Sequence, residues 1–178
     1  MIKQIILPLT LEKAKMLHTG DKVFLTGTIY TARDEAHKRL DELILSGKEL
    51  PFDLHDQVIL YAGPTPVKPG EVIGSIGPTT SSRMDSLTPL LIKHGLRGMI
   101  GKGNRSEAVK ESMKGKSLYF VAIGGAAVLL AECVQKMEVA FFPELGPEAI
   151  YRLEVQDFPC YVAFDLEGHD LFQECVQN

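Results

Sequence analysis

Cysteine is scarce. Cys133, Cys160 and Cys175 are the whole complement. An odd number at wide spacing excludes a disulfide framework. With no CxxC pair there is no signature of a zinc site or of a self-contained iron–sulfur site. Reduced, incidental thiols are the expectation, and a cytoplasmic location with them. An excess of positive charge is also missing: 19 Lys and Arg face 23 Asp and Glu, for a net charge of −4. No basic patch marks a nucleic-acid footprint, although the scattered cations leave room for a local positive pocket. Long apolar runs are absent too. None approaches the roughly 20 residues that span a bilayer. The opening MIKQIILPLT is broken by Pro8 before it could serve as a secretory signal. A soluble protein with neither nucleic-acid nor membrane partners is expected.

What is present describes a core. Hydrophobic residues make up 45% of the chain and charged residues 24%, ordinary values for a globular protein. The length of 178 residues suits one domain spanning 1–178. Lys3–Leu7 and Lys22–Tyr30 read as strands, the second by its alternation and β-branched content. Thr10 caps a short helix over Leu11–Leu17. Ala36, Leu40, Leu43 and Ile44 fall at helical spacing. Gln57–Ala62 and Glu71–Ile76 read as further strands on either side of the turn-rich connector GPTPVKPG. In the second half Met84–His94 reads as one amphipathic helix, Gly98–Ile100 as a short strand, and Ser106 as the cap of a helix ending at Met113. SLYFVAI is a buried-type strand, Ala126–Val134 an apolar helix, and VAFFPEL another strand. CYVAFDLEGHDLF reads as a terminal hairpin turning at Glu167-Gly168. The sum is a single α/β unit with mixed sheets.

Four strand-to-helix junctions carry candidate chemistry. In TARDEAH, Arg33 is a cation at a helix N-terminus, an electrostatically misplaced position unless an anion sits between it and the amides. The plain alternative is a surface pair with Asp34; His37 and Lys38 read as ordinary helix-face residues. In GPTTSSRMDS, Thr79 and Thr80 offer hydroxyls at a strand's carboxyl end, where open α/β sheets bind ligands. Arg83 follows at i+4, able to grip a carboxylate with two parallel bonds. Thr80 or Ser81 also reads as a helix cap. In GKGNRS, Lys102 supplies a point charge between two glycines, without the spacing of a P-loop. In GGAAVLLAE, Gly124-Gly125 permits a tight turn, which by itself is only topology. Arg33, Arg83 and Lys102 on three such loops suit a small dicarboxylate better than a nucleotide.

These motifs, in this order and together with FPELGPEAI, resemble the C-terminal domain of class I fumarases, in many organisms a separate β subunit. The resemblance covers nearly the whole chain. It implies a swivelling β/β/α architecture with three layers, mixed sheets and helices. It implies reversible hydration of fumarate to malate with a 4Fe–4S cluster, bound by a partner α subunit and not by this chain. Carried over by position, Arg33, Arg83 and Lys102 look like the residues that bind substrate, and Thr79 like the catalytic residue at the reacting carbon. The L(+)-tartrate dehydratase β subunit is the near alternative. A non-catalytic anion-binding module is the alternative of another class.

Overall fold

A computed structural model describes residues 1–65, 67–122 and 127–177. Strand β1 (Ile2–Ile6) leads to helix α1 (Leu11–Lys15), β2 (Lys22–Thr31), α2 (Asp34–Leu45) and β3 (Val58–Leu60). A 3-10 helix (Ser81–Leu87) then runs into α3 (Thr88–Lys93), followed by β4 (Gly98–Gly101), α4 (Glu107–Met113) and β5 (Leu118–Ala122). The chain ends with α5 (Ala127–Glu132), β6 (Val134–Phe141), a second 3-10 segment (Pro143–Glu148), β7 (Ile150–Phe164) and α6 (Leu171–Gln177).

The strands form one mixed sheet in the order β1-β2-β3-β4-β5-β7-β6. Strand β7 also pairs with β2, antiparallel, from Lys22↔Tyr161 to Thr31↔Tyr151. That extra ladder closes β2, β3, β4, β5 and β7 into a ring, with β1 and β6 attached outside it. The two faces of each strand then meet different neighbours, because side chains alternate with a period of two. Val58, Leu60, Ile100, Leu118 and Phe120 point to the ring interior with Val23, Leu25, Phe158 and Cys160. Ile59, Met99, Tyr119 and Ala163 face outward and pack on Ala36, Leu40, Leu91, Ile92, Val109 and Met113 of α2 to α4. Two sheet walls around one cluster, plus a helix layer on a second cluster, make the β/β/α arrangement that the resemblance implies. No helix among the described residues is long and apolar enough to cross a membrane.

The caps at Thr10 and Ser106 form as expected: each hydroxyl accepts a backbone N–H three residues on, at 3.3 Å. Four elements differ from expectation, the first being VAFFPEL, which is strand only as far as Phe141 and then turns into the 3-10 segment Pro143–Glu148. Glu71–Ile76 forms no strand. Both edges of β3 are already taken by β2 and β4, so Thr65 and Ser75 instead tie the segment to itself. Met84–His94 is not one helix, because Pro89 lacks the N–H an interior position needs and sits instead in the first turn of α3. The terminal hairpin shrinks to a single bridge, Phe164↔Asp170. The Asp165 carboxylate organises the turn by accepting N–H groups from Glu167 and His169, both at 3.0 Å. Asp170 then accepts from Phe172 N–H at 2.9 Å and starts α6.

Candidate active site

Strands β2, β3 and β4 run parallel, so the loops leaving their C-terminal ends share one edge of the sheet. Arg33 lies just past β2, Lys102 just past β4, and Thr79 and Arg83 on the long connection leaving β3.

The β3 and β4 connections are joined by backbone. Thr79 N–H donates to Tyr61 O at 2.7 Å, and Ser81 N–H donates to Lys102 O at 2.9 Å. Ser81 does not act as the helix cap its position allows. Its hydroxyl is buried and accepts Lys102 N–H at 3.0 Å. It also meets the Tyr119 hydroxyl at 2.7 Å, and Tyr119 donates its one proton to Gly103 O at 2.6 Å. The protons therefore run in one direction, from Lys102 N–H to Ser81 to Tyr119 to the Gly103 carbonyl. Gly101 is demanded by this contact, because a Cβ there would sit 1.8 Å from Ser81 Oγ. The close approach at Gly101 is thus to Ser81.

Arg83 is half-exposed and reaches across to α2. Its Nε and Nη2 grip Asp34 at 3.2, 3.0 and 2.9 Å, while Nη1 donates to Thr79 Oγ1 at 3.4 Å. Partial burial acts to raise the Asp34 carboxyl. The hydrogen bonds from Arg83 and its own N–H, with the charges of Arg83 and Arg33, bring it below the usual carboxylate range. Asp34 therefore pairs with Arg83 and not, as the plain alternative had it, with Arg33. Arg33 occupies the N-cap position of α2 without a capping side-chain bond, and its Nε is buried with no partner among the described residues. Its stem lies over Gly63, whose own Cβ position is 2.7 Å from Pro147 O. FPELGPEAI packs here: Glu144 accepts from Arg39 at 2.8 Å. Lys102 is exposed on the rim.

Two residues matter that the motifs alone did not single out. Arg105 is buried beneath the joined loops. Nε donates to Asp85 Oδ1 at 2.7 Å, Nη1 to the Tyr61 hydroxyl at 3.0 Å and Nη2 to Thr88 at 3.1 Å. The guanidinium also lies 5.1 and 5.0 Å from the Tyr61 and Tyr119 rings. The other Asp85 oxygen accepts Ser106 N–H at 2.8 Å, so one buried ion pair ties both loops together. The signal was an acid in RMDS and an arginine just before a cap serine. His37 is fully buried, not on an exposed helix face. Its Nδ1–H donates to Arg33 O at 2.8 Å, and Nε2 has no partner among the described residues. Burial lowers its pKa to about 4 and keeps the ring neutral.

The described cysteines do not fit an iron–sulfur cluster. Cys160 lies in the ring interior, where burial pushes its thiol far up, and burial also raises Cys133. Among the described residues no three His, Cys, Asp or Glu side chains are grouped to hold a metal ion. The Gly124-Gly125 turn lies outside the described residues. The cavity of about 510 Å³ beside Ile44, Phe52 and His94 includes none of Arg33, Thr79, Arg83 and Lys102. At this open edge Arg83 and Lys102 are exposed and Arg33 and Thr79 half-buried.

Residues 2–175 match the family model described as Fumarase C-terminus. The anaerobic class I fumarate hydratase of Escherichia coli K12 is 47% identical over 160 residues, covering 88% of this chain and 29% of that protein. The putative L(+)-tartrate dehydratase subunit beta of Methanocaldococcus jannaschii is 43% identical over 173 residues, covering 93% of this chain and 89% of that one. The L(+)-tartrate dehydratase subunit beta of E. coli K12 is 36% identical over 173 residues, covering 94% and 85%. The chain thus spans less than a third of the fumarate hydratase and most of each beta subunit. The chain belongs to the fumarase C-terminus family, which class I fumarate hydratases share with L(+)-tartrate dehydratase beta subunits.

Proposed function

We propose that the chain is the β subunit of a cytoplasmic hydro-lyase that interconverts fumarate and malate. It supplies the carboxylate-binding cations, and a partner α subunit supplies the 4Fe–4S cluster and, with it, Lewis acidity toward the substrate hydroxyl. The observation that carries this reading is the seating of Thr79, Arg83 and Lys102 on two loops joined through Ser81.

In this reading Arg83 and Arg33 hold the two substrate carboxylates. Arg83 uses the guanidinium edge that Asp34 leaves free, and Lys102 adds a point charge from the rim. Charge builds up on one carboxylate as the adjacent carbon loses its proton, and cations fixed in advance stabilise that charge best. Thr79 is the group at that carbon. A threonine hydroxyl is a poor base by itself. The Arg83 Nη1–H on its oxygen favours the anionic form; once its own proton has gone to solvent, Thr79 takes the proton from that carbon as the alkoxide and returns it as the hydroxyl. The open edge closes when the partner docks, and water is excluded.

L(+)-tartrate is the second substrate reading. The near-complete coverage of two tartrate dehydratase beta subunits supports it, and one extra substrate hydroxyl alters few contacts. The test is anaerobic reconstitution with the α subunit and iron, following fumarate absorbance with L(+)-tartrate in parallel. Turnover of fumarate by the complex and none by the isolated chain is expected. Activity of the isolated, iron-free chain refutes the half-site reading. Turnover of neither acid by the complex favours an anion-binding module.

A further inference from the structure

We infer that Asp34 is a positioning residue for the proposed reaction: it clamps one edge of the Arg83 guanidinium so that the other edge faces Thr79 and the incoming carboxylate. The inference rests on the dicarboxylate reading above. A guanidinium carries five N–H donors in a rigid plane. Asp34 takes Nε and Nη2 with three contacts between 2.9 and 3.2 Å. The plane is then fixed, and Nη1 is left directed at Thr79 Oγ1, 3.4 Å away. The outer Nη1–Nη2 edge is the one a second carboxylate can grip with two parallel bonds.

Arg83 needs such a clamp because its side chain is 47% exposed on a short 3-10 helix. Little packing restrains it, and a loose arginine presents its charge without a fixed fork. Asp34 is itself well held. It is the first residue of α2, and the turn that carries it is pinned by the buried His37, whose Nδ1–H meets the Arg33 carbonyl. An acid in the first turn of a helix is ordinary. The macrodipole asks only for charge near the N-terminus and does not call for a three-contact grip on a residue 49 positions away. The contact links the loop after β2 to the connection after β3, so the geometry of the two proposed carboxylate sites, Arg33 and Arg83, is set jointly.

The test is Asp34→Asn and Asp34→Ala in the reconstituted αβ enzyme. Charge on Arg83 persists in both, so ground-state binding survives while alignment at Thr79 is lost. The expected result is a kcat lowered about 10- to 100-fold with KM within about threefold of wild type. In an Arg83→Lys background, which lacks the fork, Asp34→Ala should add little further loss. A lower KM with unchanged kcat overturns the inference, because Asp34 would then only compete with substrate. Wild-type kinetics with a lowered melting temperature overturns it as well, leaving Asp34 a helix acid. Full additivity with Arg83→Lys does the same. A second readout needs no turnover: the Arg83 Nε–H resonance of the chain, assigned through Arg83→Lys. It should be sharp and slow to exchange in wild type and collapse to a solvent-averaged signal in Asp34→Asn; an unchanged resonance overturns the clamp. An inactive wild-type complex with an intact clamp signal condemns the proposed function and not the clamp.

Discussion

Ser81 and Lys102 hold each other twice: Ser81 N–H donates to Lys102 O at 2.9 Å, and Lys102 N–H donates to Ser81 Oγ at 3.0 Å. The pair makes one rigid unit of two loops that are 21 residues apart. Ser81→Ala leaves the part-buried Lys102 N–H without an acceptor and takes away one of Tyr119's partners. A loss of about 1–3 kcal/mol in urea denaturation is expected. Unchanged stability would mean that the lock contributes nothing.

Gly101→Ala tests the same contact from the other side. The added Cβ meets Ser81 Oγ at 1.8 Å and Tyr61 Cδ2 at 2.8 Å, both part of packed structure. Destabilisation of at least about 1–3 kcal/mol follows from such overpacking. The double variant Gly101→Ala/Ser81→Gly should recover part of it; no recovery would place the strain elsewhere.

Arg105→Met removes the buried partner of Asp85. Breaking a buried pair by deleting one member costs about 3–5 kcal/mol, which thermal unfolding would register as a large drop in Tm. Arg105→Lys should fail to restore stability, since one ammonium cannot serve Asp85, Tyr61 and Thr88 together. A lysine variant as stable as wild type would contradict the fork.

Two buried groups on α2 give opposite pH dependences. Burial lowers His37 to about 4, so between about pH 4 and 6.5 the unfolded chain binds a proton there that the folded chain does not, and stability rises with pH. Burial raises Asp41 to about 6, so between about pH 4 and 6 the folded chain holds the extra proton and stability falls as pH rises. The two offset each other in wild type. Asp41→Asn removes one of them, and its stability should climb from pH 4 to 6.5 more steeply than that of wild type. Parallel profiles would show that Asp41 does not titrate in the folded protein.

Local chemistry was readable from the residues. The caps at Thr10 and Ser106, the strands before Arg33 and Lys102 and the order of the cationic loops all follow from neighbours a few positions apart, whereas the strand expected directly before Thr79 does not form. What escaped depends on distant partners. Nothing near Val155 announces that β7 will pair with β2 and close the ring. Ser81 looks like a cap because its true partners, Lys102 and Tyr119, lie 21 and 38 residues away. His37 sits on a helix that reads as amphipathic, and only the packed Tyr61, with ring centres 5.3 Å apart, places it inside. Pro89 was legible and outweighed the periodicity of Met84–His94, since a missing N–H breaks a helix whatever the apolar spacing.

The proposed function turns on Arg83 gripping a substrate carboxylate. Its most direct test is kcat/KM for fumarate in the reconstituted complex with wild-type chain and with Arg83→Ala. Loss of a charged pair in a closed site costs about 2–5 kcal/mol, so a fall of roughly 30-fold or more is expected at 1.4 kcal/mol per decade. A kcat/KM equal to wild type would return Arg83 to the solvated surface and remove the clamp from the account.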